Sequence, residues 1–172
     1  MRAAAPSGVV TFLFTDVEGS TRRWEADADA MRAALAAHDE VLHKAIEAHG
    51  GWLFKHTGDG VCAAFGSPTC AVDAAVAAQR ALELPVRMGI ATGEAELRDG
   101  DYLGAVLNRA ARVMAAGHGG QILLGISAHR IDGRRIHRRS DGGRDGPDRG
   151  RRSHLQPVGA LACAFHLRVC VQ

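Results

Sequence analysis

The fold of this chain is decided by one stretch of sequence, Val9-Val10-Thr11-Phe12-Leu13-Phe14-Thr15-Asp16-Val17-Glu18-Gly19-Ser20-Thr21. Its β-branched and aromatic residues predict a strand that runs straight into a carboxylate, Asp16. The small residues Gly19-Ser20-Thr21 then predict a turn that leads into a charged helix. An acid at the end of a strand, beside the N-terminus of a helix, marks a place where a metal-bound phosphate would sit.

The polarity pattern of the following residues predicts the elements around this strand. Apolar positions at helical spacing predict one or two amphipathic helices over residues 21–49, ending at Gly50-Gly51. Two short strands flank Thr57-Gly58-Asp59-Gly60, which predicts a hairpin with Asp59 at its tip. Further on, the pattern predicts a helix over residues 67–82, a strand over 85–95, a loop over 96–100, a helix over 105–115 and a strand over 121–124.

The order of these elements predicts the fold class. The order β-α-β-β-α-β-α-β is typical of an α+β fold, a ferredoxin-like α/β sandwich with helices over one face of a mostly antiparallel sheet. A receiver-like domain, in which Asp16 would accept a phosphoryl group, is the rival interpretation. Such a domain has a parallel sheet, and the hairpin around Asp59 argues against it.

Composition is that of a globular protein. The 172 residues are 47% hydrophobic and 23% charged, which suits one domain with a core of its own. No apolar run reaches the ~18 residues that a membrane span needs, and the first six residues lack the apolar region of a signal peptide. The sequence therefore predicts a cytoplasmic protein with no membrane partner. Reduced thiols are predicted, rather than a zinc site or a disulfide framework, because no close pairs occur among Cys62, Cys70, Cys163 and Cys170.

The net charge of +2 conceals two segments of opposite character. Residues 1–128 carry 11 basic and 15 acidic side chains, whereas residues 129–172 carry 10 basic and 4 acidic ones. Nine of the 19 arginines lie within residues 129–152, a stretch of Gly, Asp and Arg with little apolar periodicity. We therefore predict a folded domain over residues 1–128. An arginine/glycine-rich tail over 129–172 is predicted to remain disordered, because it has little apolar surface to bury.

Two acids and one helical pair are the residues best suited to chemistry. Asp16 and Asp59 each lie at the end or tip of a strand of one small sheet, so both can reach a common pair of Mg²⁺ ions. Asn108 and Arg112 lie at i and i+4 on one helical face. An arginine there can stabilise charge on a phosphoryl group, and an asparagine can orient a sugar oxygen. Taken singly, each acid is more often a turn or cap residue, and such a helical pair is more often a solvent-exposed surface pair.

These pieces occur together and in one order. The chain contains Phe-Thr-Asp16-Val-Glu-Gly-Ser-Thr, then Lys55-x-x-Gly-Asp59-Gly, then Asp101-x-x-Gly-x-x-x-Asn108-x-x-Ala-Arg112. Over residues 7–125 this set closely resembles the catalytic domain of class III nucleotidyl (adenylate/guanylate) cyclases of the bacterial, mycobacterial-like type. The resemblance implies that Asp16 and Asp59 are the metal-binding aspartates, with two Mg²⁺ or Mn²⁺ ions per site.

The resemblance also implies an activity and its catalytic residues. In that family the 3′-hydroxyl of ATP attacks its own α-phosphate, giving 3′,5′-cyclic AMP and pyrophosphate. Asn108 and Arg112 resemble the residues that stabilise the transition state. The loop after the first aspartate wraps the β- and γ-phosphates in the family, so the resemblance assigns that role to backbone N–H groups of Val17, Glu18, Gly19, Ser20 and Thr21.

Lys55 and Asp101 resemble the pair that reads the base. Adenine offers an amino donor at N6 and an acceptor at N1, which suits the carboxylate of Asp101 and the ammonium group of Lys55. Guanine reverses the pattern, and a carboxylate facing its O6 would leave an acceptor unpaired at a cost of ~1–3 kcal/mol. ATP is therefore predicted in preference to GTP. A solvated strand lysine with no ligand is the alternative for Lys55.

The same resemblance implies a homodimer. In the family the metal aspartates come from one subunit and the base-reading and transition-state residues from the other. Because one chain carries all of these positions, a symmetric dimer can build two equivalent sites and a monomer can build none.

The C-terminal segment departs from the family pattern. The family continues after the strand at 121–124 through a helix and a final hairpin, and residues 129–172 resemble neither. One hypothesis is a shift of reading frame near Leu124 or Ser127, which would leave a truncated or inactive cyclase-like domain with a binding or regulatory role. Another is polyanion binding by the basic tail. Against specific binding of nucleic acid, the basic run is interrupted by Asp132, Asp141, Asp145 and Asp148.

Overall fold

The computed structural model describes residues 4–125, and its elements follow the predicted order with one additional strand. None of the helices in this part of the chain is long and apolar enough to cross a membrane. The predicted tail lies outside the described residues, together with Cys163 and Cys170. The reading-frame hypothesis concerns this same part of the chain. The strands are β1 (Gly8–Val17), β2 (Trp52–His56), β3 (Val61–Phe65), β4 (Val86–Arg98), β5 (Asp101–Leu103) and β6 (Ile122–Gly125), and the helices are α1 (Ser20–Ala26), α2 (Ala28–Ala48), α3 (Pro68–Ala81) and α4 (Ala105–Ala115).

Strand β1 is the middle of the sheet. It pairs antiparallel with β3 on one side and, from Gly8↔Ala95 to Val17↔Val86, with β4 on the other. The strand order is β2-β3-β1-β4-β5, and β6 joins β4 as a parallel neighbour. This mostly antiparallel sheet confirms the predicted fold class and is incompatible with the parallel sheet of a receiver-like domain.

Helices α2 and α3 cover one face of the sheet. Leu13 of β1 packs there in one buried cluster with Leu42 and Ile46 of α2 and with small residues of α3. The predicted helical segment over 21–49 is two helices because Asp27 caps α2: its side chain accepts a hydrogen bond from the N–H of Ala30 (2.9 Å). This face supplies most of the apolar burial.

Helix α4 packs on the opposite face, which corrects the expectation that the helices share one face. Met88 and Ile90 of β4 belong to the cluster under α2 and α3. Gly89 and Gly93 lie at alternate positions of the strand, so a Cβ there would be on the opposite face, against α4. A Cβ on Gly89 would fall 2.3 Å from the backbone nitrogen of Met114 in α4. The glycines of β4 therefore allow α4 to lie directly on the strand.

The predicted loop over 96–100 is a hairpin. Strand β4 continues to Arg98, and Asp99 and Gly100 form a two-residue turn with φ values of 51° and 83° before β5 pairs back. A flat sheet would separate β5 from β2 by four strand spacings, roughly 19 Å. The ring centroids of Phe54 in β2 and Tyr102 in β5 are nevertheless 5.0 Å apart. Residues 96–103, here called the β4–β5 arm, therefore fold over the sheet face that carries α4.

Candidate active site

The two predicted metal-binding acids lie next to each other at the end of β1. The N–H of Val17 donates to the carbonyl oxygen of Asp59 (3.1 Å), so the tip of the β2–β3 hairpin rests on the residue that follows Asp16. Gly60 permits this approach, because a Cβ at that position would fall 1.9 Å from the carbonyl oxygen of Thr15. The structure thus places the backbone of Asp59 beside that of Asp16.

Each of these carboxylates has a polar partner. Arg87 of β4, directly opposite Asp16 in the ladder, donates from Nε (2.7 Å) and Nη2 (2.6 Å) to Oδ2 of Asp16. The hydroxyl of Ser20 donates to Oδ2 of Asp59 (2.5 Å). Arg87 was not among the residues predicted from the sequence. The available signal was a charged side chain inside the otherwise apolar strand Val86-Arg87-Met88-Gly89-Ile90.

The chemistry of this donor set suits a magnesium-like cation. In the part of the chain that the structure describes, no three His, Cys, Asp or Glu side chains converge in a way that could hold a metal ion. Mg²⁺ rarely needs such a cage, because it is commonly held by one or two carboxylates together with water and the phosphates of a substrate. Asp16 and Asp59 provide two hard carboxylates of this kind.

The loop that follows Asp16 offers fewer free backbone N–H groups to a phosphate than predicted. The N–H of Val17 is used by Asp59, and the N–H of Glu18 donates to the carbonyl oxygen of Pro85 (2.8 Å). Neither group is therefore available to a phosphate. Phosphate contacts therefore stay predicted only for Gly19, Ser20 and Thr21, because the first N–H groups of α1 have no partner within the helix.

Glu18 anchors this loop through its side chain. Oε2 accepts from the N–H of Gly119 (3.0 Å), and Oε1 lies 3.4 Å from Nδ1 of His118. The hydrogen bond from Gly119, followed by that from His118, lowers the pKa of the Glu18 carboxyl. The loop after β1 is thereby tied to the connection that leads into β6.

The predicted base-reading pair is formed within one chain. Lys55 Nζ lies 3.6 Å from Oδ2 of Asp101, and the two side chains are 56% and 55% exposed, so a ligand can reach both. Oδ1 of Asp101 accepts from the N–H of Tyr102 (2.8 Å), which fixes the carboxylate with its other oxygen toward the lysine. This arrangement depends on the folding of the β4–β5 arm over the sheet.

Cys62 is a neighbour of this pair that the sequence did not indicate. It lies opposite Lys55 in the β2–β3 ladder and is 5% exposed. Burial raises the pKa of its thiol to about 11, with a smaller opposing effect from Lys55. Cys62 is therefore a neutral, buried side chain next to the charged side chains of Lys55 and Asp101.

The predicted transition-state residues both lie on α4. Asn108 and Arg112 are exposed on α4, and no hydrogen bond or ion pair among residues 4–125 links either side chain to the metal-site acids or to the Lys55–Asp101 pair. Arg109, between them, turns inward, with Nη1 3.5 Å from the carbonyl oxygen of Thr92. Helix α4 thus presents Asn108 and Arg112 outward.

The fold places two carboxylates, Asp16 and Asp59, beside each other at one end of an antiparallel sheet. The sequence profile of the adenylate and guanylate cyclase catalytic domain matches residues 3–141, which includes the whole described region and extends past residue 128. The chain belongs to this family, as a class III cyclase catalytic domain.

Relatives of the chain include both uncharacterized and named proteins. An uncharacterized protein of Mycobacterium tuberculosis is 40% identical over 123 residues, covering 69% of this chain and 43% of the relative. An adenylate cyclase of Lachancea kluyveri is 35% identical over 155 residues, covering 70% of this chain and 8% of the relative. The chain therefore spans less than half the length of these curated relatives.

Solved structures of cyclases share the fold. Adenylate cyclases from Trypanosoma brucei in their monomeric state include one that matches with a TM-score of 0.66 at 28% identity, covering 72% of this chain and 74% of that one. An adenylate/guanylate cyclase/hydrolase from Silicibacter pomeroyi matches with a TM-score of 0.61 at 30% identity, covering 69% and 75%. The shared architecture supports a nucleotide cyclase domain.

Proposed function

We propose that this domain is an adenylate cyclase that converts ATP to 3′,5′-cyclic AMP and pyrophosphate by a two-metal mechanism at a homodimer interface. Asp16 and Asp59 would hold the cations. Gly19, Ser20 and Thr21 would border the β- and γ-phosphates, and Lys55 and Asp101 would read adenine. Similar solved structures include one named as a guanylyl cyclase and one named for both bases, so the choice of ATP rests on the residues that would contact the base.

The observation that carries the base choice is the Lys55–Asp101 pair. A lysine can only donate and an ionised aspartate can only accept hydrogen bonds. Adenine presents the complementary set, an acceptor at N1 and a donor at N6. Guanine would leave O6 facing the carboxylate and N1–H facing the ammonium group, so that both contacts would be lost or repulsive.

The proposed chemistry is an internal displacement at the α-phosphorus. The bond from O3′ to Pα forms, the bond from Pα to the oxygen bridging Pβ breaks, pyrophosphate leaves with that oxygen, and the proton of the 3′-hydroxyl is released. When bound, two divalent cations lower the pKa of the hydroxyl and neutralise phosphate charge. Arg112 would stabilise charge that develops on the α-phosphoryl oxygens, and Asn108 would orient the ribose. Arg87 orients the Asp16 carboxylate from the strand beside it.

The homodimer is supported by the exposure of Asn108 and Arg112. Both side chains are exposed on α4, and within residues 4–125 neither has a hydrogen bond or ion pair to Asp16 or Asp59 of its own chain. A two-fold dimer would let the exposed residues of one subunit complete the metal site of the other.

The deciding experiment supplies ATP and GTP separately to the purified chain, with Mg²⁺ and with Mn²⁺, and measures both cyclic products. Cyclic AMP from ATP, lost in Asp16→Asn, is the expected result. A Lys55→Glu/Asp101→Ser variant, which offers an acceptor to guanine N1–H and a donor to O6, should shift the preference toward GTP. Faster cyclic GMP formation by the unmodified chain would overturn the base choice. Absence of both products would overturn the proposed activity and favour an inactive cyclase-like domain.

A further inference from the structure

Phe54 is an extra residue in strand β2. Leu53 lies opposite Ala63 and Lys55 opposite Cys62, which leaves Phe54 without a partner on β3. This is a β-bulge, a local insertion that changes the direction of the side chains around it. Strand alternation would place Phe54 and Lys55 on opposite faces, whereas here both lie on the face that carries the β4–β5 arm.

The inserted ring is one corner of a closed aromatic cluster. Phe54 lies 5.0 Å from Tyr102 and 5.9 Å from Phe12, and Tyr102 lies 5.0 Å from Phe12, all between ring centroids in edge-to-face geometry. Tyr102 is 3% exposed, and its hydroxyl donates to the carbonyl oxygen of Pro6 (2.7 Å). The cluster therefore joins β1, β2 and the β4–β5 arm.

Each side chain of the Lys55–Asp101 pair is adjacent in sequence to one of these rings. Lys55 follows Phe54, and Asp101 precedes Tyr102, whose N–H holds the Asp101 carboxylate. The strand order would keep β2 and β5 far apart, and the ring contact between Phe54 and Tyr102 joins the two segments directly beside the lysine and the aspartate.

We propose that Phe54 and Tyr102 are positioning residues for purine recognition. Their ring contact holds the β4–β5 arm over the sheet at the place where Asp101 meets Lys55, and so sets the affinity and selectivity for the base. The kinetic part of this inference rests on the proposed function, whereas the geometric part does not.

Deletion of Phe54 is the sharpest variant. It removes the bulge and leaves Leu53↔Ala63 and Lys55↔Cys62 as neighbouring steps of a regular ladder, so the hairpin and the face of Lys55 are retained while the ring contact is lost. Tyr102→Leu breaks the same contact from the arm, and Tyr102→Phe keeps the ring and is the conservative variant. Leu42→Ala, in the cluster under α2 and α3, controls for a loss of stability alone.

The geometry can be tested without any catalytic activity. Lys44 and Lys55 are the only lysines of the chain, so reductive methylation with ¹³C-formaldehyde gives two side-chain NMR signals, assigned with Lys44→Arg. Asp101→Asn should shift the Lys55 signal, and deletion of Phe54 or Tyr102→Leu should reproduce most of that shift. Tyr102→Phe and Leu42→Ala should leave the signal in place, with the Lys44 signal constant throughout. An unshifted Lys55 signal after deletion of Phe54 would refute the positioning role.

The kinetic test separates recognition from turnover. Deletion of Phe54 and Tyr102→Leu should each raise KM for ATP about tenfold and lower the preference for ATP over GTP by a similar factor, with kcat little changed. Tyr102→Phe and Leu42→Ala should keep the parent values. Unchanged KM and selectivity in the two ring variants would overturn the inference. If the unmodified chain turned over no nucleotide, the proposed function would fail and the lysine signals would still decide the positioning role.

Discussion

Arg87 donates from two nitrogens to one carboxylate oxygen of Asp16, across adjacent strands of the sheet. The arginine and aspartate side chains are 31% and 21% exposed, so the pair is partly withdrawn from water. Oδ1 of Asp16 takes no part in this contact, which leaves an oxygen for a cation. The arginine therefore orients the acid while the second oxygen stays available.

Replacing Arg87 with methionine should destabilise the domain. The change keeps the apolar stem but leaves a partly buried carboxylate without its donors, at an expected cost of about 1–3 kcal/mol. Urea denaturation at neutral pH without divalent metal measures this loss, and added Mg²⁺ should recover part of it. Arg32→Met is the matched control, because its ion pair with Asp29 is highly exposed and should contribute little. Equal losses in the two variants would contradict a structural role for the Arg87–Asp16 pair.

Gly89 should not tolerate even a methyl group. A Cβ there would fall 2.3 Å from the backbone nitrogen and 2.7 Å from the Cα of Met114, neither of which can move without α4. Gly89→Ala is expected to lower the free energy of unfolding by about 1–3 kcal/mol. It should also lower kcat, because α4 carries Asn108 and Arg112. Gly66→Ala, where no atom lies within 4 Å of the added Cβ, should leave both quantities unchanged. Similar stability in the two alanine variants would show that α4 does not depend on this close approach.

The parts of the site that the sequence predicted are those encoded by local patterns. Asp16 ends an apolar strand, and Asp59 sits between two glycines at a hairpin tip, so each position follows from its immediate neighbours. The fold class followed from the order of the elements in the same way. The resemblance then supplied roles for residues whose local patterns are ambiguous, such as Lys55.

The features that the sequence did not give are contacts between distant segments. Arg87 meets Asp16 only because β1 and β4 are neighbours, and Glu18 meets Gly119 only because the two connecting loops converge. The bulge at Phe54 carries no signal of its own, since an extra aromatic residue in a strand looks like ordinary β-propensity. Helix α4 packs on the face of the sheet where Gly89 and Gly93 of β4 leave room for it. Glycine is neither apolar nor polar in a hydrophobic pattern, so the sequence gives no sign of this packing.

Cys62 should make the stability of the domain sensitive to alkaline pH. Burial raises the pKa of its thiol to about 11, whereas an unfolded thiol titrates near 8.5–9. The native state binds the proton more tightly, so the contribution is complete below about pH 8.5 and is lost as pH rises toward 11. The free energy of unfolding of the parent should therefore fall by about 2 kcal/mol more than that of Cys62→Ala between pH 8 and 10.5. Parallel pH profiles for the two proteins would show that the thiol ionises freely in the folded state.

Two inactive variants should restore activity when they are mixed, if the site is shared between subunits. Asp16→Asn removes a proposed metal ligand and Arg112→Ala removes the proposed transition-state group, so each homodimer would have two defective sites. In the mixed dimer, the intact Asp16 of one chain faces the intact Arg112 of the other, so one of its two sites is complete. Random pairing makes half of the dimers mixed, which predicts about a quarter of the parent activity at equal total protein. Product formation after co-refolding measures this, with each variant refolded alone as the control. No recovery, with mixed dimers demonstrated by differently tagged chains, would mean that each site is built within a single chain.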